Sequence, residues 1–319
     1  MSHYDVFNGD ADGLCALQQL RLVEPVEDAD LITGVKRDIA LLQQVEAGAG
    51  DSVTVLDISL DKNREALQRL LDNGATVEYF DHHFAGKTPQ HQRLTTHIDT
   101  SPETCTSLLV NEHLNGAHPA WAVTGAFGDN FYDAARRAAA PLDLSNAELD
   151  TLCELGTCLN YNGYGASLED LFFHPRELAM KMRPYTSPFD FVANESAYQT
   201  LRQGYADDMA RAEQLQPEIA QENHALYIMP DAPWSRRSSG IYGNLLARNH
   251  PRRAHAILTA LDDGGFRVSV RAPLAVKTGA DELCRQFPSG GGRSAAAGIN
   301  RLEASDYDHF IEKFLASFN

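Results

Sequence analysis

Short apolar runs alternate with longer amphipathic segments through the first 80 residues of the chain. The apolar runs have the length and the β-branched and aromatic content of buried strands, and they cover residues 4–7, 30–35, 53–56 and 77–80. The segments between them repeat apolar side chains every three or four positions, as amphipathic helices do, and cover residues 13–22, 39–45 and 64–71. This alternation predicts an α/β domain with a doubly wound, mainly parallel sheet and right-handed crossovers.

The same patterns divide the rest of the chain into a helical stretch, a connector and a second α/β domain. Helices are predicted over residues 101–114, where Pro102 suits the first turn, and over residues 120–127. Pro184 and Pro188 mark the end of the first domain, and an amphipathic connecting helix follows, with an apolar stripe from Tyr198 to Ile219. Further strands are predicted at residues 225–229, 254–259 and 266–271, and further helices at residues 241–248, 280–286 and 306–318. We therefore expect a first domain over residues 1–185, a connector over 186–222 and a smaller mixed-sheet domain over 223–319.

Composition narrows the classes of function. The chain has 319 residues, 43% of them hydrophobic, and a net charge of −17, which argues against a long nucleic-acid duplex across its surface. Residues 223–319 carry 12 Lys and Arg against 9 Asp and Glu, whereas the preceding residues carry 15 against 35. An acidic domain beside an arginine-bearing one favours a small phosphorylated substrate bound between them. No apolar run approaches a membrane span, and five scattered cysteines predict reduced thiols and a cytoplasmic location.

Carboxylates and imidazoles cluster where predicted elements end. The clusters are Asp10-Ala11-Asp12-Gly13, Asp57, Asp81-His82-His83 and Asp129. Loops beyond the carboxyl ends of parallel strands converge on one crevice, so residues distant in sequence can meet there. Carboxylates together with imidazole are the ligands of one or two divalent cations. The sequence therefore predicts a metal-dependent phosphoesterase.

The chain resembles the DHH phosphoesterases, and in particular their DHH–DHHA1 branch. The DHH motifs are matched by Gly9-Asp10-Ala11-Asp12-Gly13, Leu56-Asp57-Ile58-Ser59, Asp81-His82-His83 and Gly128-Asp129-Asn130. The two DHHA1 signatures are matched by Ser269-Val270-Arg271 and Gly290-Gly291-Gly292-Arg293-Ser294-Ala295-Ala296-Ala297-Gly298. The stretch Glu103-Thr104-Cys105-Thr106-Ser107 also resembles the Ser/Thr-rich helix start of the family. The resemblance covers nearly the whole chain and implies a DHH domain, a smaller C-terminal DHHA1 domain and a cleft between them.

The resemblance implies a centre of two metal ions. One ion would be held by Asp12, Asp57, His82 and Asp129, and the other by Asp10 and the bridging Asp57. Manganese suits this mixed set of carboxylates and imidazole best, with Mg²⁺ or Co²⁺ as substitutes. Two such ions lie about 3.5–4 Å apart and stabilise the attacking and leaving oxygens of an in-line displacement.

Catalytic roles follow for the two remaining residues of the Asp-His-His triplet, and one position departs from the family pattern. His83 would bind the scissile phosphate or protonate the leaving oxygen, and Asp81 would orient the histidines. Many relatives carry a metal-binding His a few residues before Asp10, whereas this chain has Asn8 in that stretch. Asn8 could offer an amide oxygen, or water could fill the position.

The C-terminal signatures imply phosphate binding. Successive backbone N–H groups of a loop at Gly290, Gly291 and Gly292 would point at an anion, with Ser294 beside them. Arg271 and Arg293 would approach the same phosphate. Arg293 stands where the family commonly has His, and because arginine cannot act as a neutral acid or base, this loop should bind and not catalyse.

The function predicted first is a manganese-dependent phosphodiesterase that hydrolyses dinucleotides or short oligonucleotides to nucleoside monophosphates, in the manner of the nanoRNases. A cyclic-dinucleotide phosphodiesterase, or a hydrolase of another small phosphate ester or of polyphosphate, remains open, because all of these use the same metals. A hypothesis of another class also remains open, a catalytically weak nucleotide-binding sensor. We expect no membrane and no long duplex as partners, and the sequence leaves a homodimer open.

Overall fold

The computed structural model describes residues 1–318 and contains two compact units. The first unit is Met1–Tyr205, and the second begins at Ala206. The division falls inside the helix Ser196–Glu213, within the segment that the sequence predicts as a connector. That helix ends earlier than its apolar stripe predicts, because Ile219 already belongs to a strand.

The first unit is built on a five-stranded sheet. Its strands are β1 (His3–Phe7), β2 (Ala29–Ile32), β3 (Ser52–Leu56), β4 (Thr76–Asp81) and β5 (Leu94–Ile98). They lie in the order β2-β1-β3-β4-β5, and every pairing is parallel. The predicted doubly wound parallel sheet is confirmed. Strand β5 was not predicted from the sequence pattern, although its residues pair in register with β4 from Val77 to Asp81.

Several helices begin in the first unit, and the first three of them pack on the sheet. They are α1 (Ala11–Val23), α2 (Leu60–Asp72), α3 (Thr106–His113), α4 (Pro119–Gly128), α5 (Tyr132–Ala139), α6 (Asn146–Asn162), α7 (Pro175–Met182), α8 (Pro188–Asn194) and α9 (Ser196–Glu213). The helix predicted over residues 39–45 is wrong in length, because only the 3-10 helix Leu41–Gln44 forms. The Arg69 side chain binds the carbonyl oxygens of Leu42 and Val45 there, in place of the N–H groups of a further helical turn.

Alternate residues of each central strand are buried on opposite faces of the sheet. Because adjacent strand residues point to opposite sides, Val6 and Val55 pack with α2, whereas Phe7 and Leu56 pack with α1. This double burial explains why the central strands form continuous apolar runs in the sequence. The parallel pairing places the carboxyl ends of β1, β3 and β4 at one edge, where the polar clusters follow them.

Helices α4 and α6 approach each other at two glycines. A Cβ atom at Gly156 would lie 2.3 Å from the Thr124 carbonyl oxygen and 2.8 Å from the Gly128 nitrogen. We predict that Gly156→Ala lowers the free energy of unfolding by about 1–3 kcal/mol, measured by urea denaturation, because backbone must move to admit the methyl group. Gly240→Ala is the matched control in another helix, since the nearest atom to its Cβ would be 3.9 Å away. Equal stability of the Gly156 variant and the wild type would contradict the prediction.

The second unit contains a six-stranded mixed sheet, as predicted. Its strands are β6 (Ile219–Ala220), β7 (His224–Met229), β8 (Ala254–Ala260), β9 (Phe266–Arg271), β10 (Gly290–Arg293) and β11 (Ala296–Leu302). Their order is β10-β11-β9-β8-β7-β6, and β7 with β8 is the parallel pair. Its helices are α10 (Pro233–Asn249), α11 (Ala280–Cys284) and α12 (Tyr307–Ser317). Among residues 1–318, no helix is both long enough and apolar enough to cross a membrane.

The glycine-rich segment is not the loop that the sequence predicts. Gly290–Arg293 is strand β10, paired antiparallel with β11, and the turn lies at Ser294 and Ala295. Glycine is required here by close packing, because a Cβ atom at Gly290 would lie 1.8 Å from the Cys284 carbonyl oxygen. An extended strand does not direct successive N–H groups at one anion, so these residues do not form the predicted phosphate nest.

Candidate metal centre

The polar clusters of the first unit meet at the carboxyl edge of its sheet. Asp57 follows β3 directly, and Asp81 is the last residue of β4. Asp10 follows β1 and caps the N-terminus of α1, where its side chain accepts hydrogen bonds from the N–H groups of Asp12 and Gly13. Asp129 is the residue at which α4 ends. The structure thus brings together all the residues that the sequence predicts as metal ligands.

His82 Nε2 is the central atom of this arrangement. It lies 3.4 Å from Asp57 Oδ1, 3.6 Å from Asp129 Oδ2 and 3.9 Å from Asp12 Oδ2. The atom is buried and has no hydrogen-bond partner among residues 1–318. Ligand atoms that each lie about 2.1 Å from one ion stand at most about 4.2 Å apart. A buried nitrogen without a partner, surrounded by three carboxylates at such separations, fits a divalent cation.

Asp12 is held by the N-terminus of α3. Its two carboxylate oxygens accept hydrogen bonds from the backbone N–H groups of Thr106 and Ser107, each at 2.7 Å. Asp12 is completely buried. The helix dipole and the two amides stabilise its negative charge and fix its orientation. The helix begins at Thr106, so its predicted start at Ser101 is wrong. The first amides of the helix are capped by Asp12, which belongs to α1.

Asp57 occupies an unusual backbone position and an unfavourable electrostatic one. Its φ is +61°, in the left-handed region, and its Oδ1 accepts a hydrogen bond of 3.0 Å from the Thr106 hydroxyl. Burial, followed by the charges of Asp12 and Asp10, raises the pKa of Asp57 well above its ordinary value. The same acidic surroundings would be stabilised by a bound cation, as expected of a metal ligand.

Lys36 belongs to the site, although no sequence motif includes it. Its Nζ lies 2.5 Å from Asp10 Oδ2, 2.9 Å from Asp129 Oδ1 and 3.0 Å from Asn160 Oδ1. Burial alone would lower the pKa of Lys36, but the charges of Asp10 and Asp129 raise it well above its ordinary value. Lys36 follows β2, so it lies at the same edge of the sheet as the acidic residues. This position after a strand is the feature of the sequence that could have predicted it as a site residue.

His83 is bound to Asp81. The His83 Nδ1–H donates to Asp81 Oδ1 at 2.7 Å, and the same oxygen accepts the His83 backbone N–H. The His83 side chain is 44% exposed, so it lies at the rim of the centre. Burial would lower the pKa of His83, but the hydrogen bond and charge of Asp81 raise it above its ordinary value. Asp81 therefore orients His83 and favours its protonated form.

We predict that Asp81→Asn lowers kcat by about 10–100-fold, as the loss of an orienting carboxylate does elsewhere. The pKa of His83 should fall, since the charge that raises it is removed. If His83 is the general acid, the alkaline limb of the pH–rate profile should move to lower pH. A profile unchanged in position would contradict this role, and NMR titration of the His83 ring would measure its pKa directly.

Asn8, which could offer an amide oxygen in place of the family's histidine, lies beside Lys36. Its Nδ2 donates to the Lys36 carbonyl oxygen at 3.4 Å, and its buried Oδ1 has no hydrogen-bond partner in the part of the chain that the structure describes. A second group of potential ligands, made of Glu78, His97 and His113, lies apart from the Asp-His-His triplet. It differs from the centre around His82, because its Glu78 Oε1 and His97 Nε2 are hydrogen-bonded to each other at 3.0 Å.

The second unit places the two predicted arginines in one row of its sheet. Arg293 pairs with Ala296, and Ala296 pairs with Arg271, so both arginines point to the same face about 10 Å apart at the backbone. The Arg271 guanidinium donates to Asn244 Oδ1 at 2.6 Å, to Ser269 Oγ at 2.9 Å and to the Gly240 carbonyl at 3.1 Å, whereas Arg293 is exposed.

The two-sheet α/β fold is shared with solved structures of a RecJ exonuclease and of a pGpG-specific phosphodiesterase, so the predicted fold class is confirmed. No family model matches the sequence, and no curated protein matches it significantly. An exonuclease RecJ bound to manganese is 16% identical with a TM-score of 0.64, covering 99% of this chain and 89% of its own. The pGpG-specific phosphodiesterase PggH from Vibrio cholerae is 16% identical with a TM-score of 0.60, covering 100% and 99%. RecJ from Thermus thermophilus in complex with Mn²⁺ is 19% identical with a TM-score of 0.59, covering 99% of this chain and 51% of its own.

Proposed function

We propose that this protein is a metal-dependent phosphodiesterase that hydrolyses dinucleotides or short oligonucleotides to nucleoside monophosphates. The observation that carries the proposal is the unpartnered His82 Nε2 among Asp12, Asp57 and Asp129. These four residues would hold a divalent ion, with manganese favoured by the mixed oxygen and nitrogen ligands. The fold is shared with structures described as an exonuclease and a pGpG-specific phosphodiesterase, which supports a phosphodiester as substrate.

The residues around this centre would have different roles in the reaction. A bound divalent ion would supply Lewis-acid charge to a phosphoryl oxygen and generate the attacking hydroxide from water. His83 has Nδ1 engaged by Asp81, which leaves Nε2 to bind the scissile phosphate or to donate a proton to the leaving oxygen. The Thr106 hydroxyl and the α3 amides hold Asp57 and Asp12 in place without taking part in the chemistry.

Short substrates are favoured by the distribution of charge. The net charge of −17 would repel a long polyanion, whereas the second unit carries the exposed Arg293 in one row with Arg271. Arginine binds phosphate through two parallel N–H donors, so Arg293 would bind the terminal phosphate of a substrate. A linear dinucleotide carries such a phosphate, whereas a cyclic dinucleotide has no terminal phosphate.

The experiment compares substrates with metal-stripped protein to which Mn²⁺ is returned. We expect fast release of nucleoside monophosphates from a 5′-phosphorylated dinucleotide, and slow cleavage of a single strand of about 20 nucleotides and of a cyclic dinucleotide. Preference for the cyclic substrate would redirect the proposal to a cyclic-dinucleotide phosphodiesterase. Tight binding of the dinucleotide without turnover of any substrate would instead favour a nucleotide sensor and contradict the proposal.

We predict that Arg293→Met raises KM for a 5′-phosphorylated dinucleotide by roughly 10–100-fold, because a charge-assisted hydrogen bond contributes about 1.5–3 kcal/mol. The KM for the same dinucleotide without its 5′-phosphate should stay unchanged. Steady-state kinetics on both substrates measures the effect, and Arg248→Met, at another exposed arginine of the second unit, is the control. A similar increase of KM for both substrates would contradict a terminal-phosphate role.

A further inference from the structure

The ammonium group of Lys36 has the surroundings of a bound cation. Its three oxygen neighbours come from three different elements: Asp10 caps α1, Asp129 ends α4 and Asn160 lies in α6. All three distances lie between 2.5 and 3.0 Å. A surface lysine that forms an incidental ion pair has one carboxylate partner, whereas this partly buried lysine contacts two carboxylates and an amide oxygen.

The position of Lys36 is fixed by its own backbone and by its partners. The Lys36 N–H donates to the Gly163 carbonyl oxygen at 2.9 Å, which ties its loop to the end of α6. Asn160 Nδ2 donates to the Tyr164 hydroxyl at 3.0 Å, which turns Asn160 Oδ1 toward the lysine. The Lys36 ammonium also lies 5.9 Å from the centre of the Tyr164 ring. These contacts hold the lysine in place as part of the centre.

Both carboxylate oxygens of Asp10 already accept hydrogen bonds. Its Oδ1 accepts the N–H groups of Asp12 and Gly13, at 3.1 and 3.2 Å, and its Oδ2 binds Lys36. By contrast, His82 Nε2 has no hydrogen-bond partner within the described residues and lies at 3.4–3.9 Å from three carboxylates. The acidic cluster therefore has one position already filled by a protein cation and one position that remains suited to a metal.

We infer that Lys36 takes the place of one of the two metal ions, so that the centre binds a single divalent cation on Asp12, Asp57, His82 and Asp129. The inference rests on the proposed metal-dependent function and specifies its metal content. It replaces the two-ion centre expected from the sequence. The fixed single charge of Lys36 offsets the repulsion between Asp10 and Asp129 without requiring a ligand at the position of Asn8.

The test counts manganese in the purified chain. Equilibrium dialysis with elemental analysis should give one Mn²⁺ per chain, and electron paramagnetic resonance should show an isolated ion. The count is made with the variant His113→Ala as well, so that binding at Glu78 and His97 is recognised. Two ions with an exchange-coupled spectrum would overturn the inference and leave the proposed function standing. No manganese at all would contradict the proposed function itself.

Removal of the lysine provides the second arm of the test. Lys36→Ala should admit a second Mn²⁺ next to Asp10 and Asn160 and give an exchange-coupled spectrum, whereas Lys62→Ala, at an exposed lysine of α2, should still bind one ion. A folded Lys36→Ala protein that binds a single ion would overturn the inference. The count on the wild-type chain decides by itself, so the inference stays testable even if Lys36→Ala does not fold.

Discussion

Asp57→Asn should reduce kcat/KM for a dinucleotide by about 10³-fold or more, because the lost ligand removes about 4 kcal/mol of transition-state stabilisation. Asp57 Oδ1 lies 3.4 Å from His82 Nε2 and 3.9 Å from His83 Nδ1, between the proposed metal ligand and the proposed acid. Hydrolysis is measured over a range of Mn²⁺ concentrations, so that weakened metal binding is separated from lost turnover.

Asparagine is the matched replacement at this position. The φ of +61° is tolerated by Asp and Asn and is strained for Ala, so Asp57→Ala would mix a backbone effect with a charge effect. Without metal, the variant should be at least as stable as the wild type, because burial and the neighbouring carboxylates disfavour a charged Asp57. Asp28→Ala, at an exposed aspartate, is the activity control. Retained turnover in folded Asp57→Asn would remove this residue from the centre.

Arg21→Met should lower the free energy of unfolding by about 3–5 kcal/mol, the usual cost of leaving one partner of a buried ion pair unpaired. Arg21 Nε donates to Asp5 Oδ2 at 2.9 Å and an Arg21 terminal nitrogen donates to Asp5 Oδ1 at 2.5 Å. The two side chains are 5% and 1% exposed, so solvent does not screen them. Chemical denaturation measures the loss, and the double variant Asp5→Leu with Arg21→Met should recover most of it.

The pH dependence of this effect has a definite sign. Burial by itself would raise the pKa of Asp5, but hydrogen bonds from His3 and Arg21 hold it below its ordinary value of 3.8. The pair therefore stabilises the wild type fully above about pH 4, and its contribution is lost as the pH falls further. The difference between wild type and Arg21→Met should shrink on acidification, because a protonated Asp5 needs no cation. A difference below about 1 kcal/mol at about pH 7 would contradict the account.

The sequence predicted the parts of the centre that depend on local pattern. Asp57 and the Asp81-His82-His83 triplet each follow an apolar run, and a parallel sheet brings the carboxyl ends of its strands to one edge. The strand pattern and the chain positions of these residues are therefore sufficient to expect them together. The double burial of Val6 with Phe7 and of Val55 with Leu56 made the strands easy to recognise.

Contacts between distant residues set the features that the sequence did not predict. Helix α3 begins at Thr106 and not near Pro102, because Asp12, 94 positions earlier, caps its first amides. Lys36 has no distinctive neighbours in sequence, and it meets Asp10 because β2 lies next to β1 at the sheet edge. Glycine disfavours strands by its own propensity, so β10 forms from Gly290–Arg293 only through its pairing with β11.

We propose that Asp12, Asp57, His82 and Asp129 bind a catalytic divalent ion. Anomalous diffraction from crystals of the manganese-loaded protein would locate this ion. We expect an anomalous peak about 2 Å from His82 Nε2 and from carboxylate oxygens of the three aspartates. A hydrolytically active protein with no peak at this position, or with its only peak at Glu78, His97 and His113, would show that these four residues do not hold the catalytic ion.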